Sequence, residues 1–205
     1  MMTMSDDQAR DLFDPLPDVD PDATRRLHER LVAAAQRDGL LDLAYRTLDT
    51  PVGTLLLAAT EAGLVRVAYG REDHDAVLAK LADTVSPRIL RAPARLDAVA
   101  RQLEEYFGGG RRTFDVPLDF RLSKGFRRAV LAHLPEIGYG DTESYAQVAA
   151  AAGSPRAVRA VGTACATNPL PVVVPCHRVV RSDGSFGGYV GGEDAKRTLL
   201  TLEAA

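Results

Sequence analysis

The feature that most limits how this chain can fold is an apolar run broken repeatedly by proline: Pro169-Leu170-Pro171-Val172-Val173-Val174-Pro175-Cys176-His177-Arg178-Val179-Val180. Side chains this apolar belong in an interior. Pro175 stops the run from continuing as a helix or a central strand, because proline has no N–H to donate and a fixed φ. Cys176 is therefore expected at a turn that follows a buried strand. His177 comes next. Thiolate is the reactive form of cysteine, and imidazole is the side chain suited to take its proton near neutral pH. A turn after a buried strand can present such a nucleophile to a pocket.

A Cys-His pair alone is usually packing, but its neighbours here add weight. Asn168 precedes Cys176 by eight residues, and the loop Gly184-Ser185-Phe186-Gly187-Gly188-Tyr189-Val190-Gly191-Gly192 follows it. Glu203 ends a helical stretch, Leu199-Leu200-Thr201-Leu202-Glu203. By residue type these supply a nucleophile, a base and a carboxylate to orient the base.

Composition narrows the class. A hydrophobic content of 46% over 205 residues supports a real core in one domain or two small ones. No stretch approaches the roughly 20 apolar residues of a membrane span, so no membrane partner is expected. No basic segment leading into an apolar run opens the chain, so no secretory signal is expected. Cys165 and Cys176 are the only cysteines, too few for a disulfide framework, and a reducing compartment is the default. No Cys/His cluster has zinc-ligand spacing, so no metal is expected.

The net charge of −3 hides an uneven distribution. Residues 1–40 hold nine acids (Asp6, Asp7, Asp11, Asp14, Asp18, Asp20, Asp22, Glu29, Asp38) against five arginines, a net of −4. Residues 144–182 hold no acid and four arginines, Arg156, Arg159, Arg178 and Arg181. A local basic tract steers a polyanion regardless of the total charge.

The pattern divides the chain into an acidic extension (1–40), an α/β part (41–120) and a mainly helical part (121–205). Residues 1–21 carry no sustained period and are expected to lack structure at least to Asp14. Leu27, Leu31, Val32 and Ala35 predict a helix over 22–36, capped by Asp22 and ended by Gly39. Strands are predicted at 43–48, 54–59 and 64–69, with a further one at 113–118. Helices are predicted at 73–82, 96–107 and from 123 to 134. A small sheet carrying helices follows, an α+β fold. Two short helices, 144–152 and 156–166, flank Gly153-Ser154-Pro155, with Ser154 as cap and Pro155 at the first helical position. Two helices joined by a short glycine-containing turn form a helix-turn-helix, a pattern many helical hairpins share.

From about Leu122 to Ala205 the chain resembles the O6-alkylguanine-DNA alkyltransferases, or methylated-DNA–protein-cysteine methyltransferases. The resemblance rests on Gly125-Phe126-Arg127-Arg128-Ala129-Val130, Ile137-Gly138-Tyr139-Gly140, Ser144-Tyr145, Ala157-Val158-Arg159-Ala160-Val161-Gly162, Asn168-Pro169, Pro175-Cys176-His177-Arg178, Gly188-Tyr189-Val190-Gly191-Gly192 and Leu199-Leu200-Thr201-Leu202-Glu203. Residues 42–120 resemble the family's N-terminal, ribonuclease H-like subdomain.

The resemblance implies direct-reversal repair of double-stranded DNA containing O6-alkylguanine, with O4-alkylthymine as a second lesion, by a cytoplasmic bacterial monomer that uses no cofactor. It implies that Cys176 accepts the alkyl group irreversibly and once, that His177 takes the thiol proton through a water, and that Glu203 orients His177. Asn168 would tie the recognition helix to the active-site loop. Tyr145 would donate to the guanine ring, Tyr189 would wall the pocket, and backbone groups of Val179, Val190 and Gly191 would read the guanine edge. The recognition helix would enter the minor groove, where Arg159 fills the stack vacated by a flipped nucleotide, with Ser144, Arg156 and Ala160 beside it on the DNA. Leu131 stands where the family often has tryptophan, and Ala166-Thr167 replaces a frequent Arg-Gly. Cys165 reads as a small buried hydrophobe. The rivals are a non-enzymatic sensor of alkylated guanine, which Cys176 argues against, a helix-turn-helix regulator, for which no sensor domain is visible, and a cysteine hydrolase, which would leave the helix-turn-helix and Arg159 without a task.

Overall fold

The structure is a computed structural model and describes residues 20–204. The expectation for residues 1–14 falls outside them. The first helix, α1, spans Pro21–Arg37 and belongs to a compact unit of its own that ends at Leu40. Its cap is Asp20 rather than Asp22: the Asp20 carboxylate accepts from the Asp22 amide at 2.9 Å. Pro21 takes the first helical position, where its missing N–H costs nothing, and this moves the cap back by two residues.

Residues 41–204 form the second unit, with an α+β fold. Its sheet contains β1 (Leu43–Leu48), β2 (Leu55–Thr60), β3 (Gly63–Tyr69) and β4 (Ile89–Arg91) in the order β3-β2-β1-β4. The first three are antiparallel neighbours, and β4 runs parallel to β1. Every residue of β2 is buried, as a central strand covered on both faces must be. Leu43, Leu56, Ala58, Val65 and Ala68 pack with Val77 and Leu81 of α2 (His74–Thr84). Asp73 caps α2 by accepting from the Asp75 and Ala76 amides. Helix α3 (Asp97–Phe107) buries Val99, Ala100, Leu103 and Tyr106.

The strand predicted at 113–118 is absent; a single bridge, Leu64 to Leu118, stands in its place. Pro117 lends β3 its carbonyl (Leu64 N to Pro117 O, 2.8 Å) but has no N–H to return. Further along, the same edge of β3 receives the C-terminal part: Val67 N donates to Pro169 O at 2.8 Å. One strand edge therefore braces the segment that leads to Cys176.

The C-terminal part comprises α4 (Gly125–His133), β5 (Glu143–Ser144), α5 (Tyr145–Ala151), α6 (Val158–Ala166), β6 (Val179–Val180) and α7 (Glu193–Glu203). Helices α4, α5 and α6 pack on one another. Ser144 and Gln147 form a capping box at the start of α5. Helix α6 begins at Val158, with Ala157 as its cap residue, later than the sequence predicts. Ser154 and Pro155 instead form a separate turn, in which Ala157 N bonds Ser154 O at 2.9 Å. Helix α6 buries Val161, Ala164 and Cys165 and exposes Arg159, Ala160, Thr163 and Ala166. Among the described residues no helix is long and apolar enough to cross a membrane.

Candidate active site

The run leading to Cys176 is buried throughout, but it is not the expected strand. Three prolines remove its donors, and it folds as a tight turn closed by Val174 N to Leu170 O at 2.8 Å. Val172 adopts φ 72°. A β-branched residue there is strained, of order 1–3 kcal/mol, and persists only where its surroundings hold it. Asn168 supplies that hold, with Oδ1 accepting from Leu170 N at 2.9 Å and Nδ2 donating to Val174 O at 2.8 Å. Residues 176–178 then form one short 3-10 turn.

Asn168 also touches the sulfur: Nδ2 lies 3.1 Å from Cys176 Sγ. The thiol is 1% exposed. Burial pushes its pKa up to about 11, against the Asn168 donor and the Lys196 charge, which favour the thiolate. Lys196 is itself buried on α7, bonded through Nζ to Val179 O at 2.6 Å, and burial lowers its pKa.

His177 and Glu203 meet 2.9 Å apart, Nε2 to Oε1. The carboxylate accepts, so Nε2 carries the proton and Nδ1 keeps a lone pair. Nδ1 is buried without a hydrogen-bond partner among the described residues. Burial holds the His177 pKa below its usual value despite the carboxylate, so the ring is neutral near pH 7.

Glu203 serves more than His177. Arg178 donates to both of its oxygens, Nε to Oε2 at 2.8 Å and Nη2 to Oε1 at 2.9 Å. Tyr106 donates to Oε1 at 2.6 Å. Burial alone would raise the Glu203 pKa, but the bonds from His177, Arg178 and Tyr106 bring it down to about 2. Arg178 is buried and also donates to Ile137 O at 2.5 Å. It therefore does not belong to the surface basic tract in which its sequence position places it.

Three phenols lie near enough to the sulfur to feel its charge. Burial raises the pKa of Tyr69, Tyr145 and Tyr189, and a negative charge on Cys176 would raise each further. Tyr145 starts α5, and a Cβ on Gly187 would fall 2.0 Å from its hydroxyl, so only glycine permits this approach of the loop. Tyr189 presents its ring edge-on to His177, with centroids 6.3 Å apart. Val179 is buried in β6, and Val190 and Gly191 are half-buried. A cavity of about 490 Å³ is lined in part by Arg66, Lys80, Arg127, Asn168 and Val190, and Cys176 is not part of its wall.

The profile described as "6-O-methylguanine DNA methyltransferase, DNA binding domain" matches residues 125–205, and "6-O-methylguanine DNA methyltransferase, ribonuclease-like domain" matches residues 43–120. The chain belongs to the methylated-DNA–protein-cysteine methyltransferase family. It is a DNA-repair alkyltransferase of that class. The constitutive methylated-DNA–protein-cysteine methyltransferase of Bacillus subtilis is 40% identical over 162 residues, covering 78% of this chain and 94% of that one. The crystal structure of Mycobacterium tuberculosis O6-methylguanine methyltransferase superposes with a TM-score of 0.70 at 36% identity, covering 79% of this chain and 93% of that one. The structure of Mycobacterium tuberculosis OGT in complex with DNA gives 0.68 at 38% identity, covering 78% and 92%.

The fold thus gathers Cys176, His177, Glu203, Asn168, Tyr145 and Tyr189, while Arg156, Arg159 and Ala160 lie apart on an exposed face. Ser144 spends its hydroxyl on the Gln147 cap. Sequence reasoning passed over Tyr69, Tyr106, Arg178 and Lys196 as members of the site. Lys196 and Glu203 are seven apart, on the helical stripe of Ala195 and Leu199. A lysine on an inward stripe was the available signal.

Proposed function

We propose that the chain repairs O6-alkylguanine in double-stranded DNA by moving the alkyl group to Cys176 Sγ, once per molecule. The observation that carries this reading is the pairing of a buried thiol held by Asn168 with a buried His177–Glu203 pair. Asn168 donates to Sγ, His177 Nδ1 is unprotonated and has no hydrogen-bond partner among the described residues, and Glu203 fixes Nε2.

The thiol is the resting form, since burial raises its pKa to about 11. In the reaction its proton passes to His177 Nδ1 through a water, and Glu203 stabilises the imidazolium. The sulfur lone pair attacks the alkyl carbon as the carbon–O6 bond breaks. The electrons of that bond go to the guanine, which takes a proton from the Tyr145 hydroxyl, and that hydroxyl is restored from the imidazolium. Backbone groups of Val179, Val190 and Gly191 hold the guanine edge against Tyr189. A thioether is not cleaved by water, because a thiolate is a poor leaving group from an unactivated alkyl carbon, so the protein is consumed.

A guanine inside a stacked duplex cannot reach a sulfur that is 1% exposed, so the nucleotide must leave the stack. Helix α6 offers Arg159 for the gap. Among the described residues Arg159 makes no side-chain hydrogen bond or ion pair, which speaks against a surface salt-bridge role. Arg156 and Ala160 flank it at the minor groove, and Ser144 orders the start of the preceding helix. The protein acts as a monomer in the cytoplasm.

The test is stoichiometric. Incubation with an excess of duplex carrying O6-methylguanine, followed by intact mass measurement, should give one added methyl group per chain and then no further loss of lesion. Lesion loss beyond one per chain would identify a hydrolase. Tight binding without any adduct would identify a sensor.

A further inference from the structure

Two of the three phenols around Cys176 lie in the C-terminal part. The third, Tyr69, comes from the last position of β3, in the N-terminal sheet, and is 2% exposed. Two contacts tie it to the loop that closes the site. Its hydroxyl lies 2.9 Å from that of Tyr189, with the rings edge-to-face at 5.9 Å and 73°. Its ring is pressed against the Gly191 backbone, where an added Cβ would come within 2.6–2.8 Å of three ring carbons. The backbone that carries the ring is held as well. The Tyr69 amide donates to Glu72 Oε1 at 2.9 Å, and Glu72 pairs with Arg66, whose guanidinium reaches Asn168 O at 3.5 Å.

We propose that Tyr69 is a positioning residue that sets the size of alkyl group Cys176 can accept. Its ring fixes the backbone at Gly191 and its hydroxyl fixes the Tyr189 hydroxyl, so the N-terminal sheet decides how far the pocket wall can retreat from the sulfur. The inference rests on the reading of Tyr189 and Gly191 as pocket wall. The site so braced suits small alkyl groups, methyl above all. A bulky group such as benzyl needs the loop at 188–191 to move away, and the Tyr69 ring stands where it would go.

The readout is a ratio of rates. Single-turnover transfer is measured on one duplex sequence carrying either O6-methylguanine or O6-benzylguanine, so that effects on DNA binding and on thiol chemistry cancel. Tyr69→Leu should raise the benzyl-to-methyl ratio about tenfold, the scale on which a small change of pocket volume discriminates between substrates. Tyr69→Phe keeps the ring on Gly191 and should move the ratio by less than about threefold. If Tyr69→Leu fails to fold, as thermal unfolding would show, Tyr69→Met fills more of the space and serves the same comparison. A folded Leu or Met variant that slows both substrates by the same factor would overturn the proposal and leave Tyr69 as core packing. Wild-type protein that transfers neither group would instead remove the repair reading on which the proposal stands.

Discussion

Glu203 is where most of the site's electrostatics converge. It neutralises Arg178, accepts from Tyr106 and orients His177. Removing its charge therefore does two things. Glu203→Gln leaves the Arg178 guanidinium buried without its counter-ion, a change that costs about 3–5 kcal/mol when one partner of a buried pair is lost. It also removes the charge that stabilises an imidazolium at His177, so transfer should slow in protein that is still folded. Denaturant unfolding and single-turnover transfer measure the two losses separately. Wild-type stability in this variant would mean that the pair contributes nothing. The same residue predicts acid sensitivity. The carboxyl pKa is lowered from 4.5 to about 2 in the fold. As pH falls below 4.5 the unfolded chain binds the proton first, so stability that is complete above 4.5 drains away toward 2. The depressed His177 pKa acts in the same sense, beginning near its ordinary 6.5. The urea midpoint should therefore fall steadily from about pH 6.5 to pH 3, with a shallower fall in Glu203→Gln. A flat profile would contradict the assigned shifts.

Among the elements, the proposed function assigns DNA to α6 and chemistry to the prolyl turn after it. Arg159→Ala should slow repair of duplex DNA by roughly ten- to a thousandfold, because unstacking costs a few kcal/mol and the side chain proposed to fill the gap is gone. Reaction with free O6-benzylguanine should change by less than about threefold, since a free base leaves no gap and surface substitutions rarely disturb a fold. Comparison of the two rates checks this, and equal losses would place Arg159 in the pocket. Most elements were legible from pattern and caps: β1 to β3, α2 to α6 and the turn at 153–155 follow from short apolar runs between turn residues, helical spacing and glycine. Strand β4 was not. It has three half-buried or exposed residues paired parallel to β1, too short to show a period and held only by a partner some forty residues away in sequence. The run before Cys176 was misread as a strand because its apolar content is that of a buried strand. The difference lies in backbone donors, which three prolines remove, and in Asn168, which supplies the bonds a sheet would have given.

At the scale of the molecule, the N-terminal sheet is a part of the site rather than a neighbour of it. Strand β3 bonds Pro169 through Val67, and its last residue, Tyr69, meets Tyr189 and Gly191. From α3, Tyr106 reaches Glu203, ninety-seven residues away in sequence. These contacts explain what could not be read from the chain. A motif shows residues that act from one segment, as Cys176 and His177 do, whereas Tyr69 and Tyr106 belong to ordinary core patterns and become site residues only through tertiary packing. The central claim is that the alkyl group ends on Cys176, and Cys165 is the only other sulfur nucleophile of its kind in the chain. Burial raises the Cys165 pKa strongly, with a Cys176 charge adding to it, so Cys165 should stay inert. The most direct measurement is peptide mapping by tandem mass spectrometry after reaction with O6-methylguanine duplex. The methyl group should lie on the peptide that contains Cys176 in wild type and in Cys165→Ser, with no adduct in Cys176→Ser. Methylated Cys165, or transfer that survives in Cys176→Ser, would contradict the account.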